Sequence, residues 1–272
     1  MNTSASGFVG EIPEHYDKGL GPNIFVDYAD RLVDECCAEA VANVIELAAG
    51  TGIVSGKLRD RLPKDASLLV TDLNGPMLEV AKKKLEEGDN LRFSVADAMD
   101  LPFEEARFDL MVCQFGVMFF PDKVASFREA ARVIKPGGRY VFNVWSAMSE
   151  NPFSQMAHEV ARQFFPDDPP GFYKVPFHYG DPQLVKADLA EAGWGDIKYE
   201  TIRLNKRIEA PETFAKALVF GNPLIDEIRS RGGVSSDDVA REMASALHRT
   251  FGPSEMTMPL SATTFVCRKT QA

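Results

Sequence analysis

The chain is short of several things, and each shortage excludes a class of protein. No apolar run approaches the roughly 18–20 residues a membrane helix needs, so no membrane span is expected. The start, MNTSASGFVGEIPEHYDKG, has no basic stretch followed by an apolar one, and no secretory signal is expected. Only four cysteines occur: Cys36 and Cys37 are adjacent, while Cys113 and Cys267 sit inside apolar stretches. None makes a Cys-x-x-Cys pair, which leaves no disulfide framework and points to a reducing cytoplasm. Positive charge is scarce too, with 30 Lys+Arg against 40 Asp+Glu and a formal charge of −10. Nucleic acid is therefore not expected as a partner, because phosphate binding needs a basic surface. No His/Cys/Asp cluster has metal-ligand spacing, so no metal is expected. Internal repeats and low-complexity tracts are absent.

What remains is 272 residues of ordinary globular composition, 45% hydrophobic and 26% charged, enough to bury a sizeable core. The first forty residues read as irregular and then helical, with Phe25, Tyr28, Ala29, Leu32, Val33 and Cys36 at helical spacing. Short apolar strands then alternate with single helices. Strands are expected over 42–47, 67–71, 91–95, 108–113 and 139–145, and helices over 53–62, 76–87 and 123–134, the last stopped by Lys135-Pro136-Gly137-Gly138. That rhythm means right-handed βαβ crossovers and a doubly wound, Rossmann-like α/β fold with ligands at the carboxyl ends of the strands. Later, 152–165 and 182–192 look helical around a Pro- and aromatic-rich loop, and 196–207 and 258–268 alternate as strands. Between those strands lie two or three helices broken at Gly221-Asn222-Pro223 and Gly232-Gly233. The expected organisation is a cover segment over 1–40, a core over 41–210 and 253–272, and a helical cap inserted over 211–252.

The most informative stretch is VIELAAGTGIVSG, Val44–Gly56. An apolar strand runs through Glu46 into Ala48-Ala49-Gly50-Thr51-Gly52 and then a helix. Glycines let the backbone turn sharply and approach a ligand, and the helix start presents unpaired N–H groups. The spacing is neither the GxGxxG of dinucleotide loops nor GxxxxGK[ST], so the loop approaches something other than a pyrophosphate. Asp72 ends the next strand, 22 residues past Gly50, near the offset at which an acid accepts from a ribose diol. The structural alternative is a helix N-cap, a role Asn74 or Gly75 can also fill. Asp97-Ala98 follows the third strand, where the acid can accept from an exocyclic amine and the next N–H can donate to a ring nitrogen; the alternative is a solvated turn. Gln114 closes the fourth strand and faces the same crevice, whereas Asp109 sits at the opposite edge and reads as structural.

Jointly, these positions at successive strand ends resemble the class I S-adenosylmethionine-dependent methyltransferases, EC 2.1.1. The matching motifs are ELAAGTG, VTDLN, VADAMDLPF, FDLMVCQFGVMFFPD and IKPGG, of which the last two look like the small-molecule branch that includes the ubiquinone/menaquinone-type C-methyltransferases. The resemblance covers Tyr16 to Trp145. It implies a seven-stranded sheet in the order 3-2-1-4-5-7-6 with strand 7 antiparallel, S-adenosyl-L-methionine as cofactor with S-adenosyl-L-homocysteine as product, and a small, apolar or aromatic acceptor. A monomer or homodimer is expected. Carried over by position, Gly50 and Gly52 would face the methionine moiety and Glu46 would anchor the loop and the cofactor side. Asp72 would hold the ribose, Leu73 and Met77 would pack on adenine, Asp97 and Ala98 would read its edge, and Gln114 would lie beside the amino-acid part. Tyr16 resembles an aromatic that closes over the cofactor. Ala48 stands where many members have glycine.

A sulfonium is an activated leaving group, so the protein mainly aligns a nucleophile and excludes water, and a base is optional. His15, His178, Tyr173 and Tyr179 are the candidates for one; His158 and His248 read as ordinary helix residues. Asp168-Pro169-Pro170-Gly171-Phe172 imitates the loop of adenine-methylating enzymes but follows the fifth strand and a helix, so it reads as a rigid loop. The Met118-Phe119-Phe120-Pro121 run is a candidate for lining an acceptor pocket, and its structural alternative is core. The helices carrying Phe214, Leu218, Val219 and Phe220 either pack down or line a pocket. Two competing readings are a nicotinamide-dependent Rossmann oxidoreductase, which the missing GxGxxG disfavours, and a non-catalytic S-adenosylmethionine-binding relative.

Overall fold

The computed structural model describes residues 6–270. Apolar runs make its centre: β1 (Asn43–Glu46), β2 (Ser67–Asp72), β3 (Leu91–Val95), β4 (Phe108–Gln114) and β5 (Ile134–Trp145) are mutually parallel where they pair. Two longer strands, β6 (Trp194–Arg207) and β7 (Thr257–Lys269), close the sheet, with β7 antiparallel to both β5 and β6. The order is β3-β2-β1-β4-β5-β7-β6, as the resemblance implies. Val44, Ile45, Leu110, Met111, Val112 and Cys113 are wholly buried, the pattern of parallel strands covered on both faces. Edge strand β6 instead exposes Lys198, Glu200, Arg203 and Arg207, charges that deter pairing with another chain.

The helices are α1 (Ile12–His15), α2 (Val26–Cys36), α3 (Ile53–Arg61), α4 (Gly75–Lys84), α5 (Lys123–Val133), α6 (Pro152–Phe164), α7 (Pro182–Glu191), α8 (Pro211–Phe220), α9 (Leu224–Arg231) and α10 (Ser236–Phe251). On one face, Ala29, Leu32, Val33 and Cys36 of α2 and Val54 and Leu58 of α3 pack on Val44, Leu68, Val70 and Leu110. Each such buried aliphatic side chain contributes about 1.5–3 kcal/mol. Arg139, 3% exposed on β5, donates to the carbonyls of Glu35 and Cys36, both at 2.9 Å, and so satisfies the end of α2. Among the described residues no helix is long and apolar enough to cross a membrane.

Two sequence expectations need correction. The chain is not irregular up to residue 25: α1 runs into a π-helical stretch, Tyr16–Phe25, which passes into α2 with the Val26 N–H bonded to Gly21 O. Gly19, Gly21 and Pro22 look like breakers, yet a Cβ on Gly19 would overlap Ala217 of α8, so glycine there permits close packing. Asn23, 1% exposed, ties the stretch down by donating to Gly19 O and Glu209 O and accepting from the Glu209 N–H. The second correction concerns Lys135-Pro136-Gly137-Gly138. It lies inside β5 as an irregularity: Ile134 pairs with Phe108, and pairing resumes at Arg139 with Leu110. Asp109 is structural, as expected, accepting from Asn43 N at 2.7 Å and Lys135 Nζ at 2.6 Å.

Where β1 hands over to α3, Glu46 is 1% exposed and accepts from Ser55 Oγ at 2.6 Å. Burial pushes its carboxyl up to about 8; the Ser55 bond opposes that and nearby Asp72 adds to it. The folded protein thus favours a neutral Glu46, a stabilising preference fully present below pH ~4.5 and lost as pH rises through about 8. Replacing Glu46 by Gln should flatten that loss. Urea unfolding at several pH values should show the variant gaining on the parent between pH 4.5 and 8, by on the order of 2 kcal/mol. Parallel curves would contradict a buried, neutral Glu46.

Candidate functional site

The strand order reverses at β1, whose neighbours are β2 and β4, and a crevice opens at such a point outside the carboxyl ends of the strands. Here it is a cleft of about 1250 Å³ including its open mouth, lined from the tips of β1 to β5, from Ser6 to Phe25, and from the loop after α6.

The β1–α3 loop forms its first wall. Leu47 N–H continues the pairing to Val112 O at 2.8 Å, and Ala49 N–H donates to Thr71 O at 2.9 Å. Ala48, Gly50 and Gly52 all take left-handed backbone, with φ of 49°, 57° and 79°. At Gly50 a Cβ would point toward Met77 and Tyr16, 3.4 and 3.9 Å away, and all three residues line the cleft. Gly52 serves packing instead, since a Cβ there would lie 2.9 Å from Ala81 Cβ, and its absence lets α3 start against α4. Ala48 tolerates its strained φ beside Gly116, where a Cβ would lie 2.5 Å from its own.

Asp72 is 6% exposed, with Oδ2 accepting from Gly50 N–H at 2.8 Å and Oδ1 from Asn74 N–H at 2.7 Å. Burial raises its carboxyl above the usual range, against the pull of the Asn74 and Gly50 bonds. Oδ1 also accepts from Asn74 Nδ2 at 3.3 Å, so it is Oδ2 that keeps a further lone pair for a ligand. Asn74 occupies the N-cap position of α4 without capping it; its side chain instead donates to Ser6 O at 3.0 Å and accepts from Phe8 N–H at 3.2 Å. Asp97 is exposed and accepts from Met99 N–H at 2.9 Å, the turn expected as its structural alternative, while still lining the cleft beside Ala98. Leu73, 52% exposed, lies at the cleft beside Met77.

Aromatic rings form the other side. Phe115 follows β4 with φ 51° and stacks on Trp145 at 4.0 Å and 3°. Its N–H donates to Asn143 Oδ1 at 3.0 Å. Tyr16 stacks on Phe25 at 4.8 Å, and Phe8 meets Tyr16, Phe119 and Phe172 edge-on at 6.0, 5.8 and 6.5 Å. Phe120, Phe153 and Phe177 complete the wall.

The structure therefore brings Tyr16, Ala48, Gly50, Asp72, Leu73, Met77, Asp97, Ala98 and Gln114 to one cleft. Glu46 and Gly52 do not reach it; the first anchors the loop from behind and the second packs on α4. The candidate bases are also elsewhere. His15 packs on Phe220 at 5.4 Å, exposed His178 bonds the Val175 carbonyl, and Tyr179 donates to Asp188 Oδ2 at 2.5 Å. Tyr173 donates to Leu218 O at 2.6 Å. Of the α8–α10 region only Asn222 lines the cleft; Phe214, Leu218 and Val219 pack down into the core. Sequence reasoning missed Phe8, Phe153 and Phe177, which converge from distant segments and carry no local signal.

A family model described as the ubiE/COQ5 methyltransferase family matches residues 23–167, more than half the chain. Among similar relatives, a demethylmenaquinone methyltransferase of Thermus thermophilus is 38% identical over 183 residues, 63% of this chain and 82% of its own. A ubiquinone/menaquinone biosynthesis C-methyltransferase UbiE of Hahella chejuensis is 33% identical over 131 residues, 47% of this chain and 52% of its own, so the chain spans about half of that relative. In fold, a phosphoethanolamine N-methyltransferase 2 of Haemonchus contortus, solved with S-adenosyl-L-methionine, superposes with a TM-score of 0.60 at 15% identity, covering 95% of this chain and 57% of that one. These matches set aside the nicotinamide oxidoreductase reading. The chain belongs to the ubiE/COQ5 methyltransferase family, S-adenosylmethionine-dependent enzymes of the seven-stranded fold described above.

Proposed function

We propose that this chain transfers a methyl group from S-adenosylmethionine to a small, neutral acceptor of apolar or aromatic character. One observation carries the reading: the cleft joins a glycine-and-acid side to an aromatic side, and no Lys, Arg or His stands among its described lining residues. The residues present fit the cofactor. Gly50 leaves the space a Cβ would fill, Asp72 retains acceptor capacity, and the buried Oε1 of Gln114 has no partner among the described residues.

When bound, S-adenosylmethionine supplies a methyl group already activated on a sulfonium. The chain's own residues do the rest. Asp72 takes the ribose hydroxyls while keeping the Gly50 N–H, Asp97 accepts from the exocyclic amine, and the Ala98 N–H donates to the ring. Leu73 and Met77 cover the base, and Tyr16 covers the loop at Gly50. Aromatic faces from Tyr16, Phe25 and Phe115 favour a nearby cation and keep water away from the acceptor. Phe119, Trp145, Phe153, Phe172 and Phe177 hold the acceptor in line. With His15, His178 and Tyr179 outside the cleft, no histidine base enters the mechanism. In this reading the described residues of the cover over 1–40, together with the cap over 211–252, brace the aromatic wall, and the core is drawn from 41–210 and 253–272.

Three measurements test this. Calorimetry should find that S-adenosylhomocysteine binds and NAD does not; the reverse would overturn the cofactor. Asp72→Ala should weaken S-adenosylhomocysteine by roughly 2–3 kcal/mol, about 30- to 150-fold, with the fold retained. Unchanged affinity would contradict the ribose role. Transfer of labelled methyl should favour a neutral acceptor, the reduced form of the demethylmenaquinone that the Thermus relative's name gives, over its carboxylated analogue by about 100-fold or more, because the aromatic wall offers a carboxylate no partner. Equal transfer to both would contradict the neutral-acceptor assignment.

A further inference from the structure

Gln114, at the tip of β4, has one amide atom engaged and one free. Its Nε2 donates to the Phe25 carbonyl at 2.9 Å. A carbonyl only accepts, which fixes the nitrogen end of the amide. Its Oε1 is buried and has no partner among the described residues, and Gln114 lines the cleft. A buried acceptor left without a donor is costly, so this atom calls for a donor from a ligand.

Phe25 is the last residue of the π-helical stretch that begins at Tyr16. At the Tyr16 end the stretch is fastened to the glycine loop: Asp17 Oδ1 accepts from Thr51 Oγ1 and from Lys84 Nζ, each at 2.6 Å. On the outer side Asn23 bonds the backbone at Glu209. From the cleft side, Gln114 grips the Phe25 end. Tyr16 and Phe25 stack on each other between these points. A π-helical winding is rare and concentrates at functional sites.

We propose that Gln114 couples occupancy of the cleft to closure of the Tyr16–Phe25 stretch: an ammonium donating to Oε1 fixes the amide in the orientation whose Nε2 holds the Phe25 carbonyl. The coupling rests on the cofactor reading above. Asp72 and Asp97 accept the ribose hydroxyls and the exocyclic amine at the tips of β2 and β3, which leaves the α-ammonium of an S-adenosyl compound for the tip of β4. A ligand without that ammonium leaves Oε1 without a donor, so it adds nothing through Gln114 to the hold on Phe25, and the protection it gives comes only from its own contacts in the cleft.

Hydrogen exchange on the full chain tests this with two ligands, S-adenosylhomocysteine and 5′-methylthioadenosine, which keeps the nucleoside but lacks the amino-acid part. At saturation the first should slow exchange of the 16–25 amides by roughly tenfold more than the second. Gln114→Glu keeps an acceptor for the ammonium and loses the donor to Phe25, so it should bind S-adenosylhomocysteine yet show only the protection given by methylthioadenosine. Equal protection by both ligands in the parent, or parental protection in Gln114→Glu, would overturn the coupling. If Gln114→Glu fails to fold, the two-ligand comparison in the parent decides alone. Failure of both ligands to bind the parent would overturn the cofactor reading and the coupling with it, whereas binding without differential protection overturns the coupling only.

Discussion

A hydrogen bond from the Gly50 N–H to the Asp72 carboxylate, 2.8 Å long and buried, holds the glycine loop against the tip of β2. Bonds of this charged kind contribute about 1.5–3 kcal/mol. The loop needs such a brace because its three left-handed residues, Ala48, Gly50 and Gly52, turn the chain away from the sheet within five positions. Asp72 is bonded in the other direction to Asn74, whose side chain reaches Ser6 and Phe8. One acid therefore positions the loop, the start of α4 and, through Asn74, the N-terminal stretch over the cleft. The remaining wall is arranged around this frame.

Across the cleft the geometry is held by packing, with backbone strain at two points. Phe115 keeps a left-handed backbone that an L-residue adopts at a cost of about 1–2 kcal/mol. Its stack on Trp145 and its bond to Asn143 offset that cost. Ala48 and Gly116 are complementary in the same sense, since a side chain at Gly116 would collide with both Ala48 and Cys113. Strain of this kind is tolerated where the surroundings determine the conformation, and it gathers at functional sites. Here it aims Phe115 and the turn carrying Phe119 into the cleft.

How much of this is legible in the sequence follows from where each signal lies along the chain. The sheet can be read because its strands are short apolar runs separated by single helices, and Asp72, Asp97 and Gln114 can be read because each closes such a run. The π-helical stretch cannot, since Gly19, Gly21 and Pro22 look like breakers until Ala217 is seen to press against Gly19. Gly52 reads as ligand-facing, and its packing on Ala81 is not legible, because a glycine beside a ligand and a glycine beside Ala81 look alike in one dimension. The histidines draw attention by their chemistry, yet the fold sends His15 and His178 to other partners. Phe153 and Phe177 reach the cleft from beyond β5, and only the folded chain brings them to Trp145.

The most direct measurement is a crystal structure of the chain with S-adenosylhomocysteine. Both ribose hydroxyls should lie on the Asp72 carboxylate with the Gly50 N–H bond still in place, the adenine between Met77 and Leu73, and the sulfur facing the Phe115 side. A ribose bound away from Asp72, or a nucleoside lying outside the tips of β1 to β3, would contradict this placement.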